Sequence, residues 1–96
     1  MPCHVIVEFQ AAPAQAEALK ALLKEALPDT RAYDGCQSLS EYHNQEDAGN
    51  IVLVESWVSR EHYDKYLNWR VESGMLDKVG PLLTGEPSIR YYDVAD

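Results

Sequence analysis

The sequence predicts a single α+β domain over residues 1–96, ordered β-α-β-β-α-β in the ferredoxin-like manner, with a four-stranded antiparallel sheet carrying its helices on one face. Three observations predict it. Four short segments rich in β-branched residues punctuate the chain, and two stretches with apolar residues at helical spacing separate the first from the second and the third from the fourth. The length of 96 residues leaves room for one core. Two cores of about 50 residues each would both be marginal.

The first strand is His4 to Phe9 (HVIVEF), closed by Gln10-Ala11-Ala12-Pro13. Pro13 is suited to the first position of a helix, and Leu19, Leu22, Leu23, Ala26 and Leu27 then repeat on one helical face. Pro28 should kink or restart this helix, because it lacks a backbone donor and its ring crowds the preceding turn. Asp34-Gly35 supplies a turn that ends it. The next segment, Cys36 to His43, puts Leu39 on one side and Ser40 and Tyr42 on the other. It is followed by Ile51 to Val58, the most strand-like run in the chain. The polar stretch Asn44 to Asn50 makes the pair an antiparallel hairpin. Ser59 is placed to cap a second helix, although His62 stands where a capping box would have Glu or Gln. That helix carries Tyr63, Tyr66, Leu67 and Arg70 on one face. After Gly74 come Met75, Leu76, Val79, Leu82 and Leu83, interrupted at Gly80-Pro81 and stopped by Gly85-Glu86-Pro87. Ser88 to Val94 is the last strand.

In this topology the third strand lies between the first and second, so Cys3 and Cys36 stand two strand spacings, roughly 10 Å, apart. That is too far for a disulfide. Val5, Val7, Val52 and Val54 give the sheet apolar residues on both faces, more than two helices on one side can bury. A homodimer packed sheet against sheet is therefore expected.

Composition narrows the function classes. Hydrophobic residues at 46% and charged residues at 25% are those of a globular chain. A net charge of −8 repels phosphate backbones and anionic membrane surfaces, which argues against a nucleic-acid or membrane partner. No apolar run approaches the roughly 20 residues of a membrane span. Met1-Pro2-Cys3-His4 lacks the features of a signal peptide, so a cytoplasmic location is the default expectation.

His4, His43 and His62 show no metal-binding spacing, and the five glycines form no dinucleotide or phosphate loop, so neither a metal nor a nucleotide cofactor is signalled. Cys36 opens a strand in an acidic protein and reads as an inert thiol. The informative feature is the crowding of Glu55, Trp57, His62, Tyr63, Tyr66, Trp69 and Arg70 between the third strand and the second helix. Trp57 shares the parity of Leu53 and Glu55, so the three point to one face of the sheet. Core packing is the usual fate of such rings, yet each buried indole N–H and phenol O–H needs a partner. This cluster therefore reads as an aromatic-lined pocket for a small molecule.

Several of these segments resemble the antibiotic biosynthesis monooxygenase family, also described as quinol monooxygenase-like, of the dimeric α+β barrel superfamily. Thr30 to Asn44 (TRAYDGCQSLSEYHN) is similar to its T-R-x-x-x-G-C-x-x-Y segment, and Leu53 to Leu67 (LVESWVSREHYDKYL) to its E-x-W-x-S-x-x-x-F-x-x-H-L pattern. The PLL…P…IRYY ending also matches. Two departures stand out. Tyr66 occupies the place of a histidine found in many members, and Asn68-Trp69-Arg70-Val71-Glu72 occupies that of a second. Members that degrade haem place an axial histidine there, so a haem-binding role is weakened, His62 being the nearest candidate.

The resemblance implies oxygenation of a small quinol or phenolic polycyclic aromatic by molecular oxygen, without metal, flavin or haem. Trp57, Tyr63, Tyr66 and Arg70 are then the expected catalytic residues. Trp57, Tyr63 and Trp69 would form aromatic walls, Arg70 would stabilise an anion and Tyr66 would relay a proton. Leu39, Leu53, Glu55, His62 and Trp69 are the expected substrate contacts, with Glu55, His43 or His62 as the base. An isomerase on the same scaffold and a non-catalytic ligand-binding or stress-response module are the competing readings.

Overall fold

The strand β1 (Cys3–Gln10) alternates strictly, with Cys3, Val5, Val7 and Phe9 buried on one face and His4, Ile6 and Glu8 half-buried on the other. This period of two is what a sheet covered on one side requires. The computed structural model describes residues 2–96 and continues from β1 into α1 (Ala16–Ala32), β2 (Cys36–His43), β3 (Asn50–Trp57), α2 (Arg60–Glu72), the short α3 (Met75–Val79), a 3₁₀ turn at Gly80–Leu82, and β4 (Ser88–Tyr92). The sheet order is β2-β3-β1-β4, every neighbouring pair antiparallel, so β1 and β2 run parallel with β3 between them. This is the α+β, ferredoxin-like fold predicted from the sequence. Cys3 and Cys36 both lie opposite Trp57, on either side of it, and both are free thiols.

Two details of α1 differ from the sequence prediction. Its first residue is Ala16 rather than Pro13, because Gln15 N–H donates to Ala12 O at 2.8 Å and holds Pro13 in a turn. The helix also runs through Pro28 without a break. Pro28 and Lys24 both sit on the exposed side, where water can satisfy the Lys24 carbonyl that loses its donor. The buried stripe is Leu19, Leu23, Ala26, Leu27 and Thr30.

Gly35 closes the connection to β2 with φ of +93°, and a Cβ there would stand 2.5 Å from His62 Cβ. Glycine therefore serves twice at this point, allowing the left-handed turn and letting α2 approach. Ser59 caps α2 as expected, its Oγ accepting from His62 N–H at 3.2 Å. The missing capping-box partner is supplied differently: His62 Nδ1 lies 2.7 Å from the same Oγ.

All helices lie on the face of the sheet that carries Val5, Leu39, Leu53, Glu55 and Trp57. The opposite face presents Ile6, Val52, Val54, Tyr42 and Tyr92, the last three exposed. Among the described residues no helix is long and apolar enough to cross a membrane.

Candidate active site

Because β3 alternates, Leu53, Glu55 and Trp57 all point under α2, and the helical period brings Tyr63, Tyr66 and Arg70 down onto them. Between sheet and helices this leaves an inner chamber of about 80 Å³. Leu53, Glu55, Tyr63, Tyr66 and Arg70 line it, with Phe9, Thr30 and mostly aliphatic side chains completing the wall. Leu67, Leu76, Val79, Pro87 and Ile89 border both the chamber and a wider cleft of about 570 Å³, which opens outward between α2, α3 and β4. The two spaces therefore form one site, a small inner end in which Glu55, Tyr66 and Arg70 stand among apolar side chains, and a large mouth that is apolar apart from Thr84 and Glu86.

Glu55 is 3% exposed. Its Oε1 accepts from Trp57 Nε1 at 2.8 Å, and no other hydrogen bond to this carboxyl forms among the described residues. Burial pushes its pKa up to about 7, against a smaller lowering by the indole N–H. A carboxyl balanced near neutrality, with one oxygen uncommitted, can take a proton or give one.

Arg70 stands at the other side of Tyr66. Its Nε donates to Tyr66 Oη at 2.9 Å, and its Nη2 donates to Ala26 O at 2.8 Å and to Thr30 Oγ1 at 2.9 Å. Thr30 Oγ1 and Tyr66 Oη are 2.8 Å apart, so one hydroxyl donates to the other. Among the described residues no carboxylate pairs with this buried guanidinium, whose positive charge is held by neutral acceptors alone. Such a cation favours an anion arriving beside it. Burial raises the pKa of Tyr66, with the bonds to Thr30 and Arg70 working against that rise; burial also raises that of Tyr63, with Glu55 adding to it. Both phenols are therefore neutral and able to donate.

The two tryptophans stand behind this wall. Trp57 is fully buried, packed edge-on to Tyr63 at 5.4 Å and tilted against Tyr66 at 5.0 Å, and it reaches the site through Glu55. Trp69 stacks on Tyr33 at 5.2 Å and carries the Arg70 guanidinium 4.5 Å above its ring. Leu39 is core beneath α1, its carbonyl accepting from Arg31. His62 sits over Gly35 with its Nε2 4.0 Å from Asp34, and His43 pairs with Glu41 at the rim of a different groove, beside Lys20, Lys24 and Arg31. Of the three candidate bases, only Glu55 faces the chamber.

Thr30 and the apolar residues of α3 and β4 were not singled out from the sequence as site residues. Thr30 carried a readable signal, a hydroxyl at a position where α1 otherwise buries Leu19, Leu23, Ala26 and Leu27. Burial raises the pKa of both thiols, Cys3 and Cys36, which keeps them protonated. Among the described residues no group of three His, Cys, Asp or Glu is placed to hold a metal ion.

The site can be set beside known proteins. Residues 2–70 match the family model described as antibiotic biosynthesis monooxygenase. The Mycobacterium tuberculosis protein named "Putative monooxygenase Rv0793" is 40% identical over 81 residues, covering 78% of this chain and 79% of its own. Its solved structure superposes with a TM-score of 0.80 at 34% identity, covering 100% of this chain and 97% of that one. The crystal structure of an antibiotic biosynthesis monooxygenase gives a TM-score of 0.88 at 18% identity over 98% of this chain and 99% of that one, a likeness of fold. A Pseudomonas aeruginosa structure, PA3566, gives 0.79 at 25% identity over 98% and 95%. With a matching family model over most of its length and relatives that share its sequence and fold, this chain belongs to the antibiotic biosynthesis monooxygenase family and has a monooxygenase-like function.

Proposed function

We propose that the chain oxygenates a small phenol or quinol with molecular oxygen, using the electrons of the substrate itself. The observation that carries this reading is one chamber holding Glu55, with its pKa near 7, and Arg70, a buried cation with no carboxylate partner. An ordinary phenol titrates near 10, so transferring its proton to a carboxylate with pKa of about 7 is uphill by about 4 kcal/mol. Arg70 and the neutral phenol of Tyr66 offset that cost by stabilising the phenolate.

The chemistry then balances without further reactants. The anion gives one electron to dioxygen, the radical pair joins in a carbon–oxygen bond, and the peroxide loses water. A quinol thus yields a hydroxyquinone and one water from one dioxygen. Glu55 takes the first proton and returns it to the departing oxygen. Trp57 is a positioning residue that holds the carboxyl, and Tyr63 forms a wall.

The same reading includes a homodimer. It is supported by the uncovered sheet face bearing Ile6, Val52, Val54, Tyr42 and Tyr92, an apolar strip of the kind that marks an interface.

Oxygen uptake by chelator-treated protein against a panel of quinols and hydroxylated aromatics tests the proposal. Substrate-dependent uptake above the spontaneous rate, lost in Glu55→Gln and Arg70→Met, is the expected result. Tight binding of the panel with no uptake would replace it with a ligand-binding module.

A further inference from the structure

The inner chamber, at about 80 Å³, is smaller than the roughly 150 Å³ in which an apolar cavity holds one benzene. A ring cannot enter it whole. Only an oxygen-bearing edge can reach Glu55 and Tyr66, and the remainder of the ring must lie across the border formed by Leu67, Leu76, Val79, Pro87 and Ile89. Beyond that border the cleft widens to about 570 Å³, where Val71 and Leu83 continue the aliphatic lining and Thr84 and Glu86 stand with Gly80 and Gly85 along the rest of the wall. That volume lies within the range of ordinary ligand sites and far exceeds what a small quinol occupies.

From this shape we infer that the substrate is a phenol or quinol bearing a linear apolar chain, its hydroxyl edge in the chamber and its chain along the outer cleft. The inference deepens the functional reading above and rests on it for the hydroxyl end. Val71 and Leu76 are respectively 51% and 45% exposed, unusual for apolar side chains lining a concavity, and an aliphatic chain laid along the cleft would cover both. The cleft shares five lining residues with the chamber, so a chain leaving the chamber enters it directly.

Calorimetric titration of the whole protein with phenol and 4-alkylphenols of increasing length, below their micellar concentrations, tests this. Each methylene that enters the cleft is worth about 0.8 kcal/mol, so Kd should fall about fourfold per carbon until the cleft is filled, at one ligand per chain. Val71→Asp, at an exposed position of the cleft, should flatten that dependence. Alkylphenols that bind no tighter than phenol would overturn the inference and leave the phenol-oxygenating reading intact. A chain-length series reproduced equally by n-alkanols, and insensitive to Glu55→Gln and Arg70→Met, would support the apolar cleft while overturning the phenolic reading. Alkylphenol affinity that falls as protein concentration rises would assign the cleft to a second copy of the chain and overturn the inference.

Discussion

Trp57 and Glu55 lie two residues apart on the same face of β3, and the indole N–H of one donates to the carboxyl of the other at 2.8 Å. The bond occupies one carboxyl oxygen and leaves the other for the chamber. Replacing Glu55 by Gln keeps an oxygen for the indole and removes the base. Oxygenation should then fall about 10²- to 10⁴-fold while the melting temperature is unchanged in acid and raised above pH 7, where the neutral amide is spared the burial of a charge, as measured by oxygen uptake and thermal denaturation of the same preparations.

The pH dependence follows from the same residue. Its pKa rises from 4.5 to about 7 on folding, so the native state holds a proton that the unfolded chain releases between those values. The stability linked to this group is complete below about 4.5 and is lost as pH rises through about 7, amounting to about 3 kcal/mol. Urea unfolding of the wild type relative to Glu55→Gln across that window should show the loss. Activity should move oppositely, rising as Glu55 ionises near pH 7.

Thr30 accepts from Arg70 and shares a hydrogen bond with Tyr66, all three buried. Thr30→Val keeps the shape and orphans the polar atoms around it, which should destabilise the fold by about 1–3 kcal/mol. Thr30→Ser should restore most of that in the same urea titration.

Arg70→Lys should behave as a drastic change. A lysine ammonium cannot reproduce the planar fork that reaches Tyr66, Ala26 and Thr30 together. If Arg70 stabilises the phenolate, the turnover number should drop about 10²-fold or more, with the loss in kcat exceeding any change in KM.

On the open face of the sheet, Val54 is 40% exposed beside Ile6, its register partner. Val54→Asp should turn a dimer into a monomer in sedimentation equilibrium while far-ultraviolet circular dichroism stays unchanged. A wild-type chain that sediments as a monomer would refute the sheet-to-sheet homodimer.

The fold was legible because its signals are local. The alternation of β1 and β3, the stripe Leu19-Leu23-Ala26-Leu27 and the Ser59 cap each announce an element within a few residues. Glu55, Tyr63, Tyr66 and Arg70 could be grouped for the same reason, by strand parity and helix period. What stayed hidden depends on contacts distant in sequence. Nothing near Thr30 announces that Arg70 will reach it from another helix, and nothing near Trp57 says that the indole will support the chamber from behind. Pro28 misled because its local effect was offset by solvent on the exposed side of α1.

Val7 and Ile89 are register partners on adjacent strands and both line the chamber, although almost the whole chain separates them. The polar groups of β3 and α2 are therefore enclosed only when the most distant pairing in the sheet has formed. During synthesis, the segment through Arg70 can emerge with Glu55, Tyr66 and Arg70 all present and still have no enclosed place in which a reactive anion could meet oxygen. Closure of the sheet by β4 acts as a completeness check, because the chamber exists only in a chain whose first and last strands have met.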